Sequence, residues 1–144
     1  MTVEAEVQRE AVRRHEEIVA EGRHIIDQMG MRDVECSAER YVVEMDPLPE
    51  TSNVRGAIQG GIIMTLIDVA AGKLVLELID GGHAATADMT VHFLAPVIVG
   101  PARAEARATK IGRRTIVTQT EVWDVGRHRL AATATATFAR LDAR

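Results

Sequence analysis

Residues 62–79 (IIMTLIDVAAGKLVLELI) are the longest strongly apolar run of the chain, and beyond them the patterning changes abruptly. The run reads as a helix closed by Asp80-Gly81-Gly82, and Asp68, Lys73 and Glu77 within it argue against a membrane span. Past the helix, residues 85–96, 102–110, 115–123 and 130–141 alternate apolar and polar positions like strands. Gly100-Pro101, Gly112 and Gly126 punctuate them, and the short turns imply an antiparallel meander. In the last segment Thr133, Thr135 and Thr137 suit a solvated or subunit-facing surface, while Ala134, Ala136 and Phe138 suit a face packed on a helix.

Upstream, residues 3–29 carry an imperfect helical stripe (Val3, Val7, Val12, Ile18, Val19, Ile25, Ile26, Met29), with Gly30 as its stop. Residues 40–45 (RYVVEM) read as a strand ended by Pro47 and Pro49, and residues 50–61 as loop. The expected fold is α+β, one long central helix laid across an antiparallel sheet, with residues 1–30 as an N-terminal helical extension and 31–144 as the main domain. A single sheet leaves a face and its edges uncovered, so association into a dimer or tetramer is expected.

Composition narrows the function. At 144 residues with 47% apolar content, the chain can bury one real core and is not disordered. A net charge of −4 and 3% aromatic residues argue against nucleic acid as a partner. Arg113-Arg114 and Arg127-His128-Arg129 are read as solvated turn charges. Cys36 is the sole cysteine, so no disulfide or zinc spacing arises within one chain, and no metal or cofactor is expected. The first residues, MTVEAEVQRE, lack the apolar core of a signal peptide, and a cytoplasmic location away from membranes is the resulting expectation.

Asp68 is the residue that asks for an explanation, because a carboxylate in an apolar helix is costly unless compensated. Counting by three and four places Gly61, Thr65, Asp68 and Gly72 on one stripe of small and polar residues. Such a stripe admits close approach of a ligand or another chain. Gly60-Gly61 either make a tight turn into the helix or present bare N–H groups to developing negative charge. Eight residues of helix, about 12 Å, separate Gly60 from Asp68, so a site shared between two subunits unites them more easily than one subunit alone.

Asn53-x-x-Gly56-x-x-Gln59-Gly60-Gly61, Asp68, Thr86-x-Asp88-Met89 and Phe93-Leu94-x-Pro96-x-x-x-Gly100 together resemble the hotdog-fold acyl-CoA thioesterases of the phenylacetate-degradation (PaaI-like) type. The resemblance runs from about residue 46 to the C-terminus. It implies a hotdog fold, a homodimer or homotetramer with sites at the subunit interface, and an acyl-CoA substrate. By position it implies Asp68 as the catalytic carboxylate and Gly60 as the residue whose N–H polarises the thioester carbonyl. Asn53 matches a loop amide that helps hold substrate or water, and Thr86 a hydroxyl that assists the carboxylate. Gln59, Gly61 and Thr65 are the accompanying substrate-binding candidates. The family's usual His-Gly-Gly is here Gln59-Gly60-Gly61, and glutamine cannot change charge near neutral pH.

Thioester hydrolysis suits such a set. The thiolate departs without a strong general acid, since a thiol's pKa is about 8.5. Asp68 would attack the carbonyl or deprotonate a water that does. The alternatives are a non-catalytic acyl-CoA-binding protein, which Gln59 favours, and an enoyl-CoA hydratase or dehydratase, which the missing histidine disfavours. Asp88, Thr90 and His92 are expected to share a polar strand face with Thr86. His15, His24 and His83 are expected to be solvated, and Cys36 is expected to be a small buried hydrophobe.

Overall fold

The computed structural model describes residues 2–141. The chain divides into two compact units, Met1–Met31 and Arg32–Arg144. In the first, the expected single helix is two: α1 (Val3–Ala20) and one further turn, α2 (Ile25–Gln28). The break comes at Gly22, whose φ of +66° carries the chain out of the helix. Thr2 caps α1, and the Nδ1 of His24 caps α2 by accepting the Ile26 N–H. His24 is therefore a half-buried capping residue with its ring edge-on to His15, not the solvated side chain expected.

The second unit is a single antiparallel sheet with one long helix, α3 (Gly60–Ile79), against it. Ile63, Leu66, Ile67, Ala70, Ala71, Leu74, Val75 and Ile79 of α3 are buried, the three-and-four spacing of one helical face. The helix ends at Asp80, which takes the left-handed conformation (φ 40°) ahead of Gly81. No helix among the described residues is long and apolar enough to cross a membrane.

The strands are β1 (Arg32–Cys36), β2 (Tyr41–Met45), β3 (Ala84–Phe93), β4 (Ala102–Ile111), β5 (Thr115–Asp124) and β6 (Arg129–Arg140), in the spatial order β1-β2-β4-β5-β6-β3. Small residues at alternate positions of β4 and β6 (Ala102, Ala104, Ala106, Ala134, Ala136) form much of the face under α3, and all are buried. The threonines of β6 face the other way, as the alternation predicts.

Three expectations are corrected. Only β4, β5 and β6 form a meander; β3 crosses the sheet to lie beside β6 at its edge. β1 is a strand that the sequence does not announce, because its fully exposed residues carry no alternation; pairing with β2 defines it, and Cys36 on it is exposed rather than buried. The shared polar face expected for β3 does not hold either. The register shifts between Thr86 and Asp88, so Thr86 lies opposite Phe138 while Asp88, Thr90 and His92 lie opposite Thr137, Thr135 and Thr133. One extra residue flips every side chain after it.

Candidate active site

Asp68 lies midway along α3, half-buried, at the margin of the buried stripe. Its one hydrogen-bond partner among the described residues is Thr86, whose Oγ1 donates to Asp68 Oδ1 at 2.7 Å. The bulge in β3 is what turns Thr86 toward the helix while the residues after it turn away. One carboxylate oxygen is thereby fixed and the other stays open.

At the head of α3 a second set gathers. Ile62 and Ile63 donate to the Gln59 carbonyl, whereas the Gly60 and Gly61 N–H groups have no acceptor among the described residues. The Gln59 side chain makes no cap hydrogen bond and is exposed. Open donors at a helix N-terminus attract negative charge. The loop before them is held by Asn53, whose Oδ1 accepts from the Arg55 and Ala57 N–H groups at 2.9 and 3.3 Å. That leaves the Asn53 amide N–H₂ as the group available to a ligand.

Asn53 and Gly60 line a cavity of about 370 Å³ with an apolar wall that includes Ile58, Ile63, Phe93 and Leu94. The strand-to-strand crossover 94–101 forms part of this wall, and Asp124 anchors it from beneath. The buried Asp124 carboxylate accepts the N–H groups of Ile98, Val99 and Gly100 at 2.8–3.2 Å. Burial alone would raise its pKa; the three backbone donors, helped by the charge of Arg127, outweigh that and hold it below the ordinary carboxylate value.

Asp68 with Thr86, and Gly60 with Asn53, are thus two separate groupings within one protomer. Thr65 and Gly61 lie between them, the Thr65 hydroxyl donating back to the Gly61 carbonyl at 3.0 Å. Thr65 is therefore engaged with its own helix and is not displayed as a free ligand group. A slightly larger groove, about 410 Å³, lies on the opposite sheet face among Thr90, His92, Gln119 and Glu121. It has no open helix terminus, whereas the smaller cavity has Gly60 and Asn53 on an apolar wall, so the smaller cavity is the better candidate.

Two contributors are not singled out by the sequence patterning. Asp124 sits at the parity of the buried residues Ile116, Thr118, Thr120 and Val122, the same kind of mismatch that singles out Asp68. Phe93, which enters the sequence reading only as part of a motif, has its ring against Gly60.

A family model described as the Thioesterase superfamily matches residues 55–131, just over half of the chain. A candidate esterase of Saccharolobus solfataricus is 29% identical over 76% of this chain and 78% of its own length. An uncharacterized acyl-CoA thioester hydrolase of Buchnera aphidicola is 36% identical over 53% of this chain and 57% of its own length. Among solved structures, the E. coli PaaI protein from the phenylacetic acid degradation operon superposes with a TM-score of 0.72 at 22% identity, covering 79% of this chain and 81% of that one. That likeness identifies the hotdog fold, with its long helix on an antiparallel sheet.

Proposed function

The chain belongs to the thioesterase superfamily, and from that premise we propose that it is a thioester hydrolase that cleaves acyl-CoA or aryl-CoA to the free acid and CoA. The observation that carries this reading is the Asp68–Thr86 pair. A threonine hydroxyl holds one carboxylate oxygen at 2.7 Å and leaves its fellow without a donor among the described residues.

In this reading the substrate carbonyl lies at the head of α3, accepting from the Gly60 N–H and assisted by Gly61 and the Asn53 amide. The carbonyl oxygen becomes the oxyanion of the tetrahedral intermediate, where one backbone donor typically contributes about 3 kcal/mol. Asp68 either attacks the carbonyl carbon, giving an anhydride that water then opens, or takes a proton from the attacking water. Both routes expel the CoA thiolate, which needs no strong acid. Thr86 orients Asp68. Gln59 and Thr65 flank the path, and Gln59 supplies hydrogen bonds where the family's histidine also supplies a titrating group.

Gly60 and Asp68 stand about 12 Å apart along one helix, which favours a site completed by a second subunit. The edge strand β3 supports such pairing. It is ten residues long and its only charged carboxylate is Asp88, whereas the opposite edge, β1, has five residues and three charged side chains. Short, charged edges resist pairing and long, nearly neutral ones invite it. A homodimer joined at β3, alone or within a tetramer, is part of the proposal, as is a cytoplasmic setting for a chain whose one thiol is free and exposed.

Thiol release from a panel of acyl- and aryl-CoAs tests the function. The wild type should release CoA from at least one, and Asp68→Asn should lose that activity; a wild type silent on the whole panel would refute it. The exposed, uncapped Gln59 favours one competing reading, a protein that binds acyl-CoA without cleaving it. Calorimetric binding of a CoA thioester with no thiol release would select that reading instead.

A further inference from the structure

Phe93 is the last residue of β3, and 54% of it is exposed, unusual for one of only two phenylalanines in the chain. Its ring lies directly over Gly60: a Cβ built on that glycine would meet the ring's Cζ at 3.4 Å and Cε1 at 3.6 Å. Gly60 is not one of the glycines with positive φ, so its backbone conformation does not call for glycine. What the missing side chain provides is room for the ring beside a bare N–H. The same ring forms part of the wall of the apolar cavity with Ile58, Ile63 and Leu94.

Taken with thioester hydrolysis at Gly60, on which this inference rests, the arrangement limits what the ring can touch. A carbonyl oxygen bound at the Gly60 N–H places the first carbons of the acyl group within van der Waals reach of a ring seated on that same residue. We infer that Phe93 is the specificity-determining residue of the site, closing the Gly60 end of the cavity against long acyl chains. The preferred substrate class is accordingly a short or compact acyl group, packed against the ring. Removing the ring opens the cavity in the direction the chain would extend.

The test is kcat/KM over saturated acyl-CoAs from acetyl to decanoyl for the wild type, Phe93→Leu and Phe93→Ala. The ratio of decanoyl to acetyl turnover should rise on the order of tenfold in Phe93→Ala, with Phe93→Leu between it and the wild type. Phe93→Leu keeps an apolar side chain at the strand end, so the comparison survives if the alanine variant folds poorly. An unchanged ratio in an active Phe93→Leu protein, or an equal fall for every chain length, would overturn the assignment and leave thioester hydrolysis standing. A wild type that turns over none of the series but cleaves an aryl-CoA would overturn the assignment alone, and one silent on aryl-CoAs as well would remove both.

Discussion

Asp68 and Asp124 both interrupt an otherwise apolar setting, Asp68 next to the buried Ile67 in α3 and Asp124 at the parity of the buried Ile116 and Val122 in β5, and the fold treats them in opposite ways. Asp124 is fully buried and accepts three backbone N–H groups, from Ile98, Val99 and Gly100. Asp68 is half-buried and accepts one threonine hydroxyl. A buried carboxylate with both oxygens already accepting backbone donors is closed to a substrate, and its charge stabilises the loop that surrounds it. One that is oriented but unsaturated retains an oxygen for chemistry. The number and kind of donors, more than the mismatch itself, separates the structural acid from the candidate catalyst.

The contrast is broken most sharply at Asp68. Asp68→Asn should lower kcat/KM on the preferred acyl-CoA by about 10²–10⁴-fold. Its unfolding free energy should move by less than about 0.5 kcal/mol, because the amide oxygen still accepts the Thr86 hydroxyl. Parallel assays of thiol release and urea unfolding check both halves.

Asp124→Ala should do the reverse, costing on the order of 3 kcal/mol by leaving three N–H groups unpaired in a buried loop. The same residue gives a pH signature. Its folded pKa lies below its unfolded value of about 3.9, so its contribution is fully present above that value and fades as pH falls through the lower folded one. Urea midpoints between about pH 2.5 and pH 6 should therefore drop at the acid end in the wild type, and the part due to Asp124 should be missing in Asp124→Asn.

Thr86→Val sharpens the comparison from the other side. It removes the only donor to Asp68 among the described residues and should reduce kcat about tenfold, near 1.4 kcal/mol, with little change in KM. The smallest effect is expected at Gly72, one turn beyond Asp68. A Cβ there would meet the Phe138 ring at 3.8 Å, an ordinary contact. Gly72→Ala should raise the unfolding free energy by about 0.5–1 kcal/mol through helix propensity and leave thiol release unchanged.

Periodicity makes α3, β4, β5 and β6 legible, because each buries one clean face. It misses β1, whose exposed, charged residues carry no pattern, and it misplaces β3, because strand order is decided by long-range packing that local alternation does not encode. The β3 bulge defeats the face assignment for a similar reason: nothing in the neighbouring residues marks where the extra one is inserted. Of the candidate site, Asp68 is visible through its apolar setting and Thr86 only through the motif resemblance; the bond between them is visible in neither. Phe93 against Gly60 is a contact between a strand end and a helix start 33 positions apart, beyond any local signal.

In a shared site, Asp68 of one subunit acts on a carbonyl held by Gly60 of its partner, and two inactive variants should complement each other. Gly60→Pro removes the N–H at the first helical position, where proline is tolerated, and Gln59 before it already has the extended backbone that proline requires. Asp68→Asn and Gly60→Pro should each be inactive alone. Refolded together in equal amounts they should recover about a quarter of wild-type thiol release, since half the dimers are hybrids and each hybrid rebuilds one of its two sites. Activity no higher than that of the separate variants, in a mixture shown to contain hybrid dimers, would contradict the shared site.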